Sequence, residues 1–291
     1  MDDIGGIDDI LFGSIDMHVH HGPDSLLERR LDALETAKQA REFDMKGIIL
    51  KSHDYPTAAL AHLVNQLVPE VYTFGSLCLD YESGGLNTFA VEASAKLGAR
   101  VVWMPTFSAA NSRSKAADIL RIKLPGKGIT ILQENKLVPE VTDILHTIKA
   151  HDMILASGHL SPREIFALIK EAKLIGLSKI IITHPLEQGI VDETLDVEAQ
   201  QQLANEGAFI EHCFLTLMPT GGKLNPRQMV AAVRAVGAEH CIMSTDFGQI
   251  YHPPAPEGMR MFIGTMLRYG LTQAEIELMV KTNPARLLGL D

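Results

Sequence analysis

MILASGHLSPREIFALIKEAKLIGLSKIIITH, residues 153–184, contains one complete unit of the pattern that decides the fold. A short apolar run, Met153–Ser157, ends at His159. Ser161 then stands as a helix N-cap, with Pro162 in the first turn and Glu164 in the capping-box position. The amphipathic stretch Pro162–Ile175 follows and is closed by Gly176, as a C-terminal cap would close it. A second apolar run, Lys179–Thr183, ends at His184. Strands joined through a helix lie parallel.

The same alternation extends in both directions. Strands are expected at Ser14–His18, Gly47–Lys51, Val71–Leu77, Arg100–Met104, Met153–Ser157, Lys179–Thr183, Ala208–Glu211 and Cys241–Ser244. Helices are expected between them at Leu27–Glu42, Pro56–Leu67, Asn87–Leu97, Val138–Ala150, Pro162–Ile175, Leu195–Asn205 and Pro226–Val236. Gly98, Gly207 and Gly237 repeat the helix-to-strand punctuation of Gly176. Eight such strands in 291 residues predict an α/β fold, a (β/α)8 TIM barrel, since that architecture takes ~250 residues. No linker or low-complexity tract divides the chain, so residues 1–291 read as a single domain. The segment Gly128–Val138 reads as a small hairpin insertion, turning near Glu134–Asn135. The Pro-rich loop at 251–258 leads into two extra C-terminal helices.

Composition narrows the function. A formal net charge of −10 argues against nucleic acid and anionic membrane surfaces. No apolar run approaches the ~18 residues of a membrane span. The opening MDDIGGIDDILFG lacks the basic and apolar regions of a signal peptide. Cys78, Cys213 and Cys241 form no CxxC pair, which excludes a four-cysteine zinc module and predicts reduced thiols in a cytoplasmic protein. Phosphate-binding GxxxxGK[ST] and GxGxxG loops and a GxSxG elbow are absent, so neither nucleotide-driven chemistry nor serine hydrolysis is expected.

The twelve histidines carry the functional signal. In DMHVH, residues 16–20, His18 and His20 point to one face of a strand. His159 follows strand five, His184 ends strand six, and Asp246 ends strand eight in IMSTD, residues 242–246. Barrel enzymes carry their active sites at the C-terminal ends of the strands, and closure sets strand eight beside strand one. These groups are therefore expected to converge as metal ligands. A lone strand-end histidine more often packs or sits in a loop; the joint placement is what points to a metal. Imidazole with carboxylate suits a divalent cation, zinc first, with iron, manganese or nickel also accommodated. Such a cation lowers the pKa of bound water from about 15.7 towards ~7, and an adjacent carboxylate can take the proton.

Other groups are expected to shape the pocket. Lys51 and His53 share a face of strand two in ILKSH, residues 49–53. In FIEHC, residues 209–213, alternation lets only one of Glu211 and His212 face inward. His212, nearer the strand end, is the expected substrate residue, and Glu211 a group orienting a ligand histidine. The loops after strands three and eight offer Asp80 and Tyr81, then Gln249, Tyr251 and His252, for small-molecule substrate binding. His21 reads as solvent-facing or in a loop, and His62, His146, His151 and His240 as surface or structural.

The order HxH, His, His, Asp on strands one, five, six and eight resembles the amidohydrolase superfamily of metal-dependent hydrolases. LTQAEIELMVKTNPARLLGL, residues 271–290, is similar to the terminal helix of many members. DMHVHHGPD, KGIILKSH, ASGHLSP and STDFGQ look similar to a poorly characterised branch. The resemblance implies that His18, His20 and Asp246 hold one metal, that His159 and His184 hold a second or bind substrate, and that Asp246 is catalytic. Many two-metal members bridge their ions with a carboxylated lysine or a glutamate on strand four. Here RVVWMPTF, residues 100–107, has neither. Lys51 is the nearest substitute, as a bridging carboxylated lysine, as an ammonium for an anionic or carbonyl group, or in a structural ion pair. The reaction implied is cleavage of an amide, cyclic amide, lactone or ester. The alternatives are a phosphoesterase of the polymerase-and-histidinol-phosphatase type, a lyase or decarboxylase, and a catalytically silent metal-binding barrel. The phosphoesterase motif ends Asp-x-His, where this chain has Asp246-Phe247-Gly248. Related enzymes commonly form homo-oligomers.

Overall fold

The computed structural model describes residues 6–121, 124 and 126–290. The first five residues of the N-terminal reading lie outside the described residues. Strands form where the apolar runs predict them: β1 (Ile15–His20), β2 (Gly47–Lys51), β3 (Tyr72–Phe74), β4 (Ser76–Cys78) and β5 (Val101–Trp103). The expected hairpin is β6 (Leu132–Gln133) with β7 (Lys136–Leu137), turning at Glu134 and Asn135, both at positive φ. Then come β8 (Ile154–Ala156), β9 (Ile180–Ile182), β10 (Phe209–Cys213) and β11 (Cys241–Ser244). The result is a mixed α/β fold with parallel sheets. One sheet runs β1-β2-β3 and another β4-β5-β8-β9-β10-β11, with all their pairings parallel.

The helices between strands are α1 (Ile7–Leu11), α2 (Ala33–Glu42), α3 (Ala58–Leu67), α4 (Thr88–Lys96), α5 (Arg113–Leu120), α6 (Pro139–Ala150), α7 (Pro162–Ile175), α8 (Val197–Asn205) and α9 (Pro226–Val236). The chain finishes with α10 (Ala255–Arg268), α11 (Gln273–Glu277) and α12 (Asn283–Leu288), a π-helical turn joining the last two. Ser161 and Glu164 form the expected capping box of α7.

Two expectations need correction. The strand expected at Val71–Leu77 is broken at Gly75. The start of α3 presses on this point: Thr57 N–H donates to Ser76 O at 2.9 Å, and a Cβ on Gly75 would meet Ala58 Cα at 2.3 Å. The helix expected from Leu27 begins only at Ala33. Asp32 caps it, accepting from Glu35 N–H at 2.8 Å while Glu35 returns to Asp32 N–H. The preceding residues form a bent loop, with Gly22 N–H on Leu31 O and Arg30 N–H on Gly248 O.

Alternation divides the strand side chains between two apolar layers. Ile49, Trp103, Ala156, Ile181, Phe209 and Ile242 pack together on one face. Leu50, Val102, Leu155, Ile182, Ile210 and Met243 pack on the other, against helix residues such as Val141, Ile165, Val230 and Phe262. In β1 the phase shifts. Asp16 pairs with Ile48 but Val19 with Leu50, three steps against two, so β1 carries one extra residue. The bulge lets His18 join Met17 on the inner face, beside Trp103, with ring centroids 5.6 Å apart. Beyond β11 the chain runs along β1: Asp246 N–H donates to His18 O at 2.9 Å and His20 N–H to Phe247 O at 2.8 Å. Buried Asp16 ties the same seam, accepting from Thr245 N–H at 3.0 Å and from its hydroxyl at 2.5 Å. No helix among the described residues is long and apolar enough to cross a membrane.

Candidate active site

The C-terminal ends of β1, β8, β9 and β11 bring His18, His20, His159, His184 and Asp246 together, all buried. Asp246 Oδ1 lies 3.0 Å from His18 Nε2 and 3.1 Å from His20 Nε2. Ring centroids of His18 and His184 are 6.0 Å apart, and those of His159 and His184 are 4.9 Å apart. His184 and Asp246 hold positive φ, 23° and 57°. Non-glycine residues persist there when their surroundings overdetermine them, most often at functional sites.

Hydrogen-bond partners dictate which nitrogen each ring offers to the cavity. Ser112 donates its hydroxyl to Ile190 O at 2.7 Å, so its oxygen accepts from His159 Nδ1 at 3.0 Å. Thr106 donates its hydroxyl to Asp80 Oδ2, so its oxygen accepts from His53 Nδ1 at 2.7 Å. His18 Nδ1 donates to Glu211 Oε2 at 3.3 Å. His159 and His53 thus carry the proton on Nδ1 and leave Nε2 as the acceptor, as ligating histidines oriented by outer partners do, while His18 is held on both sides, by Glu211 at Nδ1 and by Asp246 at Nε2. Lys51 Nζ stands 2.9 Å from His18 Nε2 and over the Trp103 ring at 5.3 Å.

Burial sets the charge states. It holds His20 and His159 well below the usual histidine range, helped at His20 by the Arg29 charge and at His159 by His184. It lowers His184 to about 4. These rings are neutral near pH 7. Burial also pulls on His18, but the Asp246 and Glu211 carboxylates outweigh it and raise that pKa. Burial alone would raise Asp246 and Glu211, yet His18 and its hydrogen bonds hold both below the normal carboxylate range, His20 adding to the effect at Asp246. Asp16 goes the other way, pushed up to about 7 by burial despite its Thr245 bonds.

The tightest groups of metal-competent atoms are His18, Cys213 and Asp246, and His53, Cys78 and Asp80. In both groups, atoms beside the thiol are already engaged by other partners. Burial raises both cysteine pKa values and keeps them as S–H. Cys213 Sγ lies 3.8 Å from His18 Nδ1, the nitrogen already engaged by Glu211. Asp80 is occupied by Thr106 N–H, Ser108 N–H and the Thr106 hydroxyl. The better-fitting set is the two Nε2 atoms sharing Asp246 Oδ1, with His159 and His184 opposite. The 3.0 and 3.1 Å from Asp246 Oδ1 to the His18 and His20 Nε2 atoms suit bonds of about 2.0–2.2 Å to a shared ion. His20 Nδ1 and His184 Nδ1 are buried with no partner among the described residues.

Several expected pocket residues move. Glu211, not His212, faces the cluster. The strand runs from Phe209 to Cys213, and its odd-numbered residues point inward, leaving His212 buried on the helix side. Tyr81 does not line the cavity; it is 47% exposed and packs on the Arg113 guanidinium at 5.3 Å. His252 stands behind the wall, stacked on Phe247 at 4.5 Å, bonded to Gln249 Oε1 at 2.9 Å and to Thr220 Oγ1 at 2.6 Å. Gln249, Tyr251, Lys51 and His53 do line it. His53 is sandwiched between Phe107 and His20, with centroids 4.0 and 4.9 Å away. His21, expected towards solvent or a loop, is buried.

The sequence reading missed Arg29, Phe107 and Glu187. Arg29 fell in the misplaced helix. Glu187 is buried on the cavity wall, its pKa raised by burial, with Oε1 accepting Gly189 N–H at 2.7 Å. Gly158 positions His159: its φ is +60°, and an added Cβ would meet Met104 O at 2.3 Å. Gly158→Ala is expected to cost about 1–3 kcal/mol. Thermal unfolding of the metal-free protein measures this, and an unchanged Tm would count against so tight a packing.

The model of the Family of unknown function (DUF6282) matches residues 13–211, more than half of the chain. A search of curated proteins finds no match. Among solved structures, an amidohydrolase from Pseudomonas aeruginosa is similar at 12% identity, with a TM-score of 0.63 over 97% of this chain and 98% of that one. The probable dipeptidase PvdM from the same organism is similar at 13% identity, with a TM-score of 0.66 over 97% and 96%. A 2,6-dihydroxybenzoate decarboxylase from Rhizobium gives 15% identity and a TM-score of 0.54 over 96% and 99%. The likeness to amidohydrolase-type proteins is thus established at the level of the fold.

Proposed function

Because the chain belongs to the Family of unknown function (DUF6282), its activity has to be read from its site, and we propose a metal-dependent hydrolase acting at a carbonyl-type bond of a small molecule. The observation that carries this reading is Asp246 Oδ1 within 3.0 and 3.1 Å of two imidazole nitrogens. In this reading the parallel sheets form one closed (β/α)8 barrel in a single domain. β3 and β4 are then one strand interrupted at Gly75, and the hydrogen bonds from Asp246 and His20 join the last strand to the first.

His18, His20 and Asp246 would hold a divalent cation, zinc first, and His159 with His184 would complete the site or hold a second. The cation would supply Lewis acidity, polarising a substrate oxygen and acidifying water. Asp246, ionised at neutral pH, accepts the proton of the attacking water and returns it to the leaving group. Glu211 keeps His18 in its Nδ1–H tautomer. Lys51, buried against Trp103 with its Nζ beside His18, stabilises the negative charge that develops on the carbonyl oxygen.

Reconstitution with zinc, manganese or iron, followed by elemental analysis and assays on aryl esters, lactones and aryl phosphates, tests the reading. Stoichiometric metal with faster ester or lactone cleavage is expected. Failure to take up any metal, or a preference for phosphate esters, would sink it.

A further inference from the structure

The loop between β1 and α2 carries a side-chain pair that the hydrolytic reading leaves unused. Asp24 Oδ1 accepts the N–H groups of Leu26 and Leu27 at 2.8 and 2.9 Å, which fixes the carboxylate. Its Oδ2 accepts from Arg29 Nε at 2.7 Å. Arg29 Nη2 sits against the same oxygen at 2.5 Å but makes no hydrogen bond there. The Arg29 side chain is only 1% exposed. It lines the cavity with His20, Lys51 and Asp246, and its Nη1 is buried with no acceptor among the described residues. A guanidinium cannot shed its charge, and a buried donor without an acceptor is costly. Arg29 lies on the cavity wall, so an acceptor bound in the cavity can serve that donor.

We propose that Arg29 Nη1 binds a carboxylate of the substrate, which makes the substrate class small monocarboxylates with an apolar body. This rests on the hydrolase reading of the same site. A carboxylate fits better than a phosphate dianion because the cavity wall already carries the ionised Asp246 and also Glu187. Of its permanent cations, Arg29 is half spent on Asp24. The apolar body follows from Leu27, Phe107 and Leu215 on the same wall. The cavity volume is about 120 Å3, close to the ~150 Å3 of an engineered apolar cavity that takes up benzene.

Benzoate and benzamide, alike in shape and different in charge, are the probes. Isothermal titration calorimetry on the metal-loaded protein is expected to show benzoate binding about tenfold or more tightly than benzamide. Arg29→Lys keeps a cation for Asp24 but loses the planar fork. The double variant Asp24→Asn/Arg29→Met strands no charge and covers the case in which the single one fails to fold. In both, the preference is expected to shrink to about threefold or less, with metal content unchanged. A preference that survives both variants, or a native protein that binds both probes equally or neither, overturns the proposal while leaving the metal centre intact. A protein that takes up no metal yet prefers benzoate through Arg29 overturns the hydrolase reading instead.

Discussion

Asp246→Asn is expected to weaken divalent-cation binding by at least about 100-fold, above the 10–100-fold that outer partners of a ligand carry, and to leave the fold intact. The fold should survive because the change is nearly isosteric and Asn tolerates the left-handed backbone at φ 57°. The N–H bond from residue 246 to His18 O involves only backbone. What is lost is the negative charge between two imidazole nitrogens, and with it the group proposed to move the proton. His18 should respond as well. Burial lowers its pKa and Asp246 is the largest influence raising it, so removing that charge should drop the His18 value. Isothermal titration with zinc measures the first effect, NMR titration of His18 the second, and circular dichroism the fold. Native-like zinc affinity in this variant would place the centre elsewhere.

The second large effect concerns His212, off the cluster. It is 1% exposed, neither ring nitrogen has a partner among the described residues, and burial lowers its pKa to about 4. In the unfolded chain its value returns to about 6.5. Between those values the unfolded state binds the proton and the folded state does not. Stability from this residue is therefore complete above pH 6.5 and is lost as pH falls towards 4. At pH 5 the loss is about 2 kcal/mol. His212→Leu removes that loss along with an unpaired polar ring. The variant should gain about 2 kcal/mol more over the native protein at pH 5 than at pH 8. Subtracting the two pH values cancels the packing change and the other titrating groups, among them Asp16, whose raised pKa favours the folded state on acidification. Urea unfolding at both pH values, without metal, gives the number. An equal gain at both would mean that His212 is protonated in the folded protein.

The placement of the strands and the meeting of His18, His20, His159, His184 and Asp246 were legible because both rest on period. Apolar runs recur at barrel spacing, and each chemical group follows the end of one. The misreadings were errors of phase and of competition. Ending the seventh strand at Glu211 rather than Cys213 favoured the wrong neighbour, because one residue reverses the side of a sheet. Leu27 and Leu31 suggested an early helix, while Asp32 and Glu35 form the capping box that starts it later. That error hid Arg29. The extra residue in β1 leaves no local signature, because it arises from pairing with β2 and with the segment after β11. Gly75 marks a break that only the approach of Thr57 and Ala58 explains.

The seam between β1 and the residues following β11 also sets when the centre can mature. His18 and His20 leave the ribosome more than two hundred residues before the carboxylate they share is made. A nascent chain holds two buried-type imidazoles with nothing to complete them, and contacts of such long sequence separation form slowly. If these residues hold an ion as proposed, its capture has to wait for that carboxylate. A product cut short before β11 would lack the seam and the shared carboxylate together, so the binding of a cation would report on a chain that has passed β11.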